Sequence, residues 1–118
     1  MNNLIAFFEI PSFDFERAVH FYEAVLNIEL QVCDYCGEEK MAFFNDEGAV
    51  SYAPGFTPSP DGVLIHFNCI DINDTLESVK RNNGSIIIPK TKIEAENRGY
   101  FAVFADSEGN HIGIYADK

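Results

Sequence analysis

The 118-residue sequence has little positive charge. Eight Lys and Arg stand against 19 Asp and Glu, a formal charge of −11. A nucleic-acid binder displaces counterions from phosphate with a basic face, and so few cations cannot build one. An anionic membrane surface is disfavoured for the same reason. Long apolar runs are also missing. Runs such as Leu4 to Phe8 and Val63 to Ile65 fall far short of the roughly 20 residues that span a bilayer. The opening MNNLIAFFEIPS has no basic start and is interrupted by Glu9 and Pro11, so no export signal is expected and a cytoplasmic location is. Cysteine is sparse and odd in number: Cys33, Cys36 and Cys69 are expected to be reduced thiols. Cys33-Asp34-Tyr35-Cys36 has redox spacing but falls at a strand end rather than opening a helix, where the dipole would lower a thiol pKa.

Apolar residues are plentiful at 47%, enough for one globular core in a chain of this length. Leu4 to Ile10 reads as a strand closed by Pro11 and Ser12. Asp14 is a plausible N-cap for a helix whose Phe15, Ala18, Val19, Tyr22 and Leu26 recur at helical spacing, with Asn27 as its stop. Three strands follow, at Ile28 to Asp34, Lys40 to Phe44 and Ala49 to Ala53. Pro54, Gly55, Pro58, Pro60 and Gly62 then make the one linker-like stretch. The pattern repeats beyond it. Val63 to Ile70 is a strand, and Asn73 or Asp74 caps a helix burying Ile72, Leu76 and Val79. Asn82-Asn83-Gly84 ends that helix through a left-handed residue. Strands follow at Ser85 to Ile88 (ended by Pro89), Tyr100 to Phe104 and His111 to Tyr115.

Two βαβββ units therefore occupy residues 1–53 and 63–118, joined by 54–62. Their turns match, Phe44-Asn45-Asp46-Glu47-Gly48 against Phe104-Ala105-Asp106-Ser107-Glu108-Gly109. Each unit alone is too small to bury its sheet face. An α+β fold with the two units curved into an incomplete, cleft-bearing barrel is expected, and a cleft between modules is the default ligand site.

The segments FEIPSFDFERAVHFYEAVLN, GVLIHFNCIDINDTLESVKRNNG and FADSEGNHIGIY resemble the vicinal oxygen chelate superfamily, which includes glyoxalase I, bleomycin-resistance proteins, fosfomycin-resistance enzymes and extradiol dioxygenases. R-A-x-x-F-Y-x-x-V-L (Arg17 to Leu26) and D-x-E-G-N are the most specific parts, and they resemble the glyoxalase-like branch without an assigned substrate. The resemblance implies a metal ligand on the first and last strand of each unit. Carried onto this chain, those positions are Ile5 or Phe7, Tyr52 (four residues after Gly48), Leu64 and Gly113 (four after Gly109). None offers a donor for Zn²⁺, Ni²⁺, Mn²⁺ or Fe²⁺. Ser51 and His66 are the nearest donors, so neither a metal nor another cofactor is expected.

Alternation then gives the candidate ligand contacts. Phe7 and Glu9 share a face of the first strand, Leu64, His66 and Asn68 a face of the fifth, and His111, Gly113 and Tyr115 a face of the last, with Tyr52 filling a lost ligand position. Glu9 and His66 are the candidate general bases. Glu9 alternatively pairs with Lys92 or Arg98. The expected ligand is small, partly apolar and possibly cationic, as in bleomycin sequestration, which the fold also resembles. The alternative is a lyase or isomerase of the glyoxalase type, and whether the protein is an enzyme stays open at this point. A homodimer is expected, with no nucleic-acid or membrane partner.

Overall fold

The computed structural model describes residues 4–33 and 37–118. Of the C-x-x-C segment, residues 34–36 lie outside the described residues. Two four-stranded mixed sheets carry one helix each, as the repeat requires. In the first module β1 (Phe8–Pro11), α1 (Phe15–Leu26), β2 (Gln31–Cys33), β3 (Lys40–Phe44) and β4 (Gly48–Tyr52) give the sheet order β1-β4-β3-β2. In the second, β5 (His66–Asn68), α2 (Ile72–Arg81), β6 (Ser85–Lys92), β7 (Tyr100–Ala105) and β8 (His111–Ala116) give β5-β8-β7-β6. The first and last strands of each module run parallel and the remaining pairs antiparallel.

α1 begins and ends as its sequence dictates. The Asp14 carboxylate accepts the Arg17 N–H, and Asn27 closes the helix in the left-handed region at φ 55°. α2 is capped two to three residues earlier than expected. Asp71, in extended conformation, accepts the Asp74 N–H, which puts buried Ile72 inside the first turn instead of before it. The left-handed residue after α2 is Asn83, at φ 74°. β6 does not stop at Pro89. It is an edge strand, where a missing N–H breaks no ladder, and it runs on to Lys92 through register shifts on either side of Ile88. β1 starts at Phe8 and not at Leu4, and β5 is paired only from Ile65, whose carbonyl accepts the Gly113 N–H.

One core joins the modules on their helix-bearing faces. Ile10, Val50 and Phe44 from the first sheet meet Phe104, Ile112 and Ile114 from the second, with Phe21, Tyr22, Leu76 and Val79 from the helices. Phe67 meets the Phe8 ring edge-on and the rings of Tyr22 and Phe44 at a tilt. Gly84 lets α2 close on this core, since a Cβ there would lie 2.6 Å from the Ala105 carbonyl oxygen.

The modules are also clasped by polar groups. The Asp106 carboxylate accepts four donors: the N–H groups of Glu108 (2.8 Å) and Asn110 (2.9 Å), the Asn110 amide (3.0 Å) and the Tyr22 hydroxyl (2.5 Å). Glu108 accepts the N–H groups of Phe13 and Asp14, at 2.9 and 2.8 Å, and two nitrogens of Arg17, at 2.7 and 3.0 Å. Asn110 donates to the Pro11 carbonyl. Both signature motifs of the sequence thus belong to one structural device: Arg17 and Tyr22 come from the first, Asp106, Glu108 and Asn110 from the second.

Burial pushes the Asp106 carboxyl above its ordinary range, against the hydrogen bonds it accepts. Burial also pushes Glu108 up, but Arg17 and the N–H donors outweigh it and the carboxyl sits below its ordinary range. Tyr22 is raised well above its ordinary value by burial and by the Asp106 charge.

Candidate functional site

Pairing register decides which residues face the open side of each sheet. In the second module His66 pairs with Gly113 and Asn68 with Tyr115, while Phe67 and Ile114 between them enter the core. His66, Asn68, Gly113, Tyr115 and, through β7, Phe101 therefore stand on the open face. In the first module Glu9 pairs with Ala49, and its carboxylate accepts the Ser51 hydroxyl at 2.8 Å. Glu9, Ala49 and Ser51 occupy the open face there.

Tyr52 is not among them. It follows Ser51 and so points to the other face, where it packs against the core. Counting four residues from the turn glycine misplaces it because the two turns differ in length. Gly48 is already paired with Phe44, whereas Gly109 lies inside the turn at φ 97°, between the paired residues Ala105 and His111. The residue equivalent to Gly113 is Ala49, and the residue equivalent to His66 is Glu9. The corrected positions for the metal of the resemblance, Ile5 or Phe7, Ala49, Leu64 and Gly113, still provide no donor atom. Among the described residues no three His, Cys, Asp or Glu side chains are grouped to hold a metal ion. The residues present do not fit the family's metal, and no chemical step is routed through one.

The predicted contacts divide between two grooves. His66, Asn68 and Tyr115 line a groove of about 640 Å³ together with Ile93, Arg98 and Phe101. Glu9 and His111 line a separate groove of about 420 Å³, with Ile5, Phe56, Val63 and Ile65. Phe7 and Leu64 are exposed near the starts of β1 and β5. Neither Lys92 nor Arg98 pairs with Glu9. The Lys92 ammonium donates to the carbonyls of Ile93 and Arg98.

In the larger groove the His66 ring lies flat on Gly113. A Cβ on that glycine would sit 2.3 Å from His66 Nδ1, so only glycine leaves room for the imidazole. Phe101 holds the ring edge-on, centroids 6.2 Å apart. The Tyr115 hydroxyl accepts the Gly99 N–H at 3.0 Å and donates to Asp117. Arg98, Ile93 and Phe101 were not anticipated as site residues. Phe101 was within reach of the sequence, because antiparallel pairing of β7 with β8 sets it beside Tyr115. Arg98 depends on the path of the 93–99 loop, which no periodicity encodes.

The profile of the Glyoxalase/Bleomycin resistance protein/Dioxygenase superfamily matches residues 4–114. The chain belongs to this superfamily. Solved structures agree in fold. A glyoxalase/bleomycin resistance protein from Albidiferax ferrireducens is similar at TM-score 0.71 and 17% identity, over 97% of this chain and 98% of that one. A family enzyme from Burkholderia phytofirmans gives TM-score 0.72 at 14% identity, over 96% and 98%. The fosfomycin resistance protein FosX from Mesorhizobium loti gives 0.69 at 17% identity, over 100% and 95%. No curated protein sequence matches the chain. Among the described residues no helix of this superfamily member is long and apolar enough to cross a membrane.

Proposed function

We propose that this superfamily member binds a small, partly apolar molecule, without a family-type metal, in the groove on the open face of its second sheet. The observation that carries this is the lining. Phe101, Tyr115 and Ile93 supply apolar surface, and His66, Asn68 and Arg98 supply polar groups at its edges, the mix expected of a ligand site. His66 is held on Gly113 while its ring nitrogens stay available, and the Asn68 amide can both donate and accept. A cationic ligand finds no carboxylate among these residues.

Binding is tested by titrating ¹⁵N-labelled protein with neutral and charged aromatic fragments. Saturable shifts are expected to cluster on residues 66–68, 101 and 115. Gly113→Val is expected to weaken them by about ten-fold or more, since the added side chain evicts the His66 ring from its seat. Shifts scattered over the surface, or untouched by Gly113→Val, would defeat the reading. Should a proton transfer occur in this groove, His66 is the base placed to perform it, whereas Glu9 is tied to Ser51 in the other groove. Turnover that survives His66→Ala would remove that role.

The same reading includes a second copy of the chain. Ile5, Phe7, Val63 and Leu64 are 67, 54, 90 and 43% exposed, and Ile5 and Val63 line one groove. Apolar side chains gathered in this way are usual at interfaces between protein chains. Light scattering is expected to report a dimer that Phe7→Glu or Leu64→Glu converts to monomer. A wild-type monomer at 0.1 mM, roughly a hundred times the micromolar range of weak specific complexes, would overturn the pairing.

A further inference from the structure

Arg98 owes its place to a loop pinned at both ends. The Ile93 N–H donates to the Gly99 carbonyl at 3.0 Å, closing residues 93–99 on themselves. The Lys92 ammonium bonds the carbonyls of Ile93 (3.2 Å) and Arg98 (2.9 Å) while lying 5.5 Å from the Tyr100 ring centroid. Gly99 donates to the Tyr115 hydroxyl, and its backbone lies so close to Ala116 that a Cβ would come within 2.1 Å of that carbonyl oxygen. Asn97 makes the turn just before Arg98, at φ 62°. The loop therefore hands Arg98 to the rim of the groove at a fixed point.

The charges that line the groove are one-sided, while Glu94 and Glu96 of the same loop lie outside the lining. The ion pairs among the described residues are Arg17–Glu108 and Lys80–Glu77, so the Arg98 guanidinium is in neither. His66 and Arg98 are the basic groups of the lining, which holds no Asp or Glu. Asp117 is outside the lining and accepts the Tyr115 hydroxyl at 3.1 Å. On a protein of formal charge −11, a groove without a lining carboxylate and with an unpaired guanidinium stands apart from the rest of the surface. Guanidinium is planar and presents two parallel N–H groups to a carboxylate. Below it, Phe101, Tyr115 and Ile93 offer a flat apolar floor.

We infer that the groove selects a carboxylate on a flat apolar body, with Arg98 binding the carboxylate and Phe101 and Tyr115 the body. This rests on the groove being the binding site, and it adds the class of ligand. The test compares 2-naphthoate, 2-naphthamide and 2-naphthylmethylammonium by NMR titration of the wild type and Arg98→Gln. The acid is expected to bind the wild type about ten-fold or more tighter than the amide, the advantage of one charge-assisted contact, and the amine weakest. In Arg98→Gln the acid and amide are expected to bind alike, with an unchanged thermal midpoint because the side chain is exposed. If the amide or amine binds the groove as tightly as the acid, or if Arg98→Gln leaves the preference intact, the carboxylate selection is wrong and the groove stands. If none of the three shifts the signals of His66, Phe101 and Tyr115, the groove itself is not the site and both readings fall.

Discussion

Asp106→Ala is expected to remove about 3–5 kcal/mol of folding free energy, because four donors lose their acceptor together. The N–H groups of Glu108 and Asn110, the Asn110 amide and the Tyr22 hydroxyl all point at this one buried carboxylate. Each donor left unsatisfied costs about 1–3 kcal/mol, and the turn can relax only enough to hydrate some of them. Domains of this size carry about 5–15 kcal/mol in total, so the variant loses a large share. Its thermal midpoint is expected to fall by roughly 10–25 °C. Asp106→Asn, which keeps one oxygen for the two backbone donors but turns an NH₂ toward the Asn110 amide, is expected to lose less, about 1–3 kcal/mol. Urea denaturation followed by circular dichroism measures both. A loss under about 1 kcal/mol for the alanine variant would show that the carboxylate is not the hub of the clasp.

Glu108 supplies the second large effect, and its pH dependence has a definite sign. Glu108→Ala is expected to cost about 2–4 kcal/mol at pH 7, since Phe13, Asp14 and Arg17 all lose their acceptor. Its carboxyl is held below the ordinary range in the folded protein. The unfolded state therefore binds the proton more readily, and stability rises with pH across that window. The contribution is present above the unfolded value, about 4.3, and is lost as pH falls through the folded one. Asp106 runs the other way. Its folded value is raised, so its protonated form favours the native state below about 3.9, and that advantage is lost as pH rises through the folded value. Glu108→Gln keeps the shape and removes one of the two opposed titrations. The gap in stability between wild type and Glu108→Gln is expected to narrow as pH drops from about 6 to about 3. A gap that stays constant over that range would mean that the Glu108 charge does not stabilise the clasp.

Much of this fold was legible because two periodicities were clean. The helical stripe through Phe15, Ala18 and Tyr22 is the core face of α1, with Phe21 and Val25 widening it. The repeated strand pattern became two sheets of the same order. What failed did so for local reasons. A cap at Asp71 looks no different in sequence from one at Asp74, and only the backbone at Asp71 decides it. Pro89 stops a central strand but not an edge strand, and edge position is a property of the assembled sheet. At the site, Glu9, His66, Asn68 and Tyr115 were assigned to the open faces their register gives them. Tyr52 was not, because Gly48 is already a paired strand residue while Gly109 lies inside its turn, so a fixed count of four overshoots Ala49 by three residues, and an odd shift reverses the face. That Glu9 and His66 lie in different grooves depends on how two modules dock, which no pattern within either module records.

The prolines at the sheet margins bear on how copies of this chain can meet. β1 ends in Pro11, and β6 carries Pro89 directly after its apolar Ile86–Ile88 segment, followed by the charges of Lys90 and Lys92. Both are outermost strands. A strand from another molecule needs a row of free N–H groups to extend a sheet. Proline interrupts that row, and lysine resists being stripped of water beside it. These margins are thus poor templates for fibre growth. At these two margins the sheets are closed to open-ended stacking of strands, and the other two edges, β2 and β5, are only three residues long.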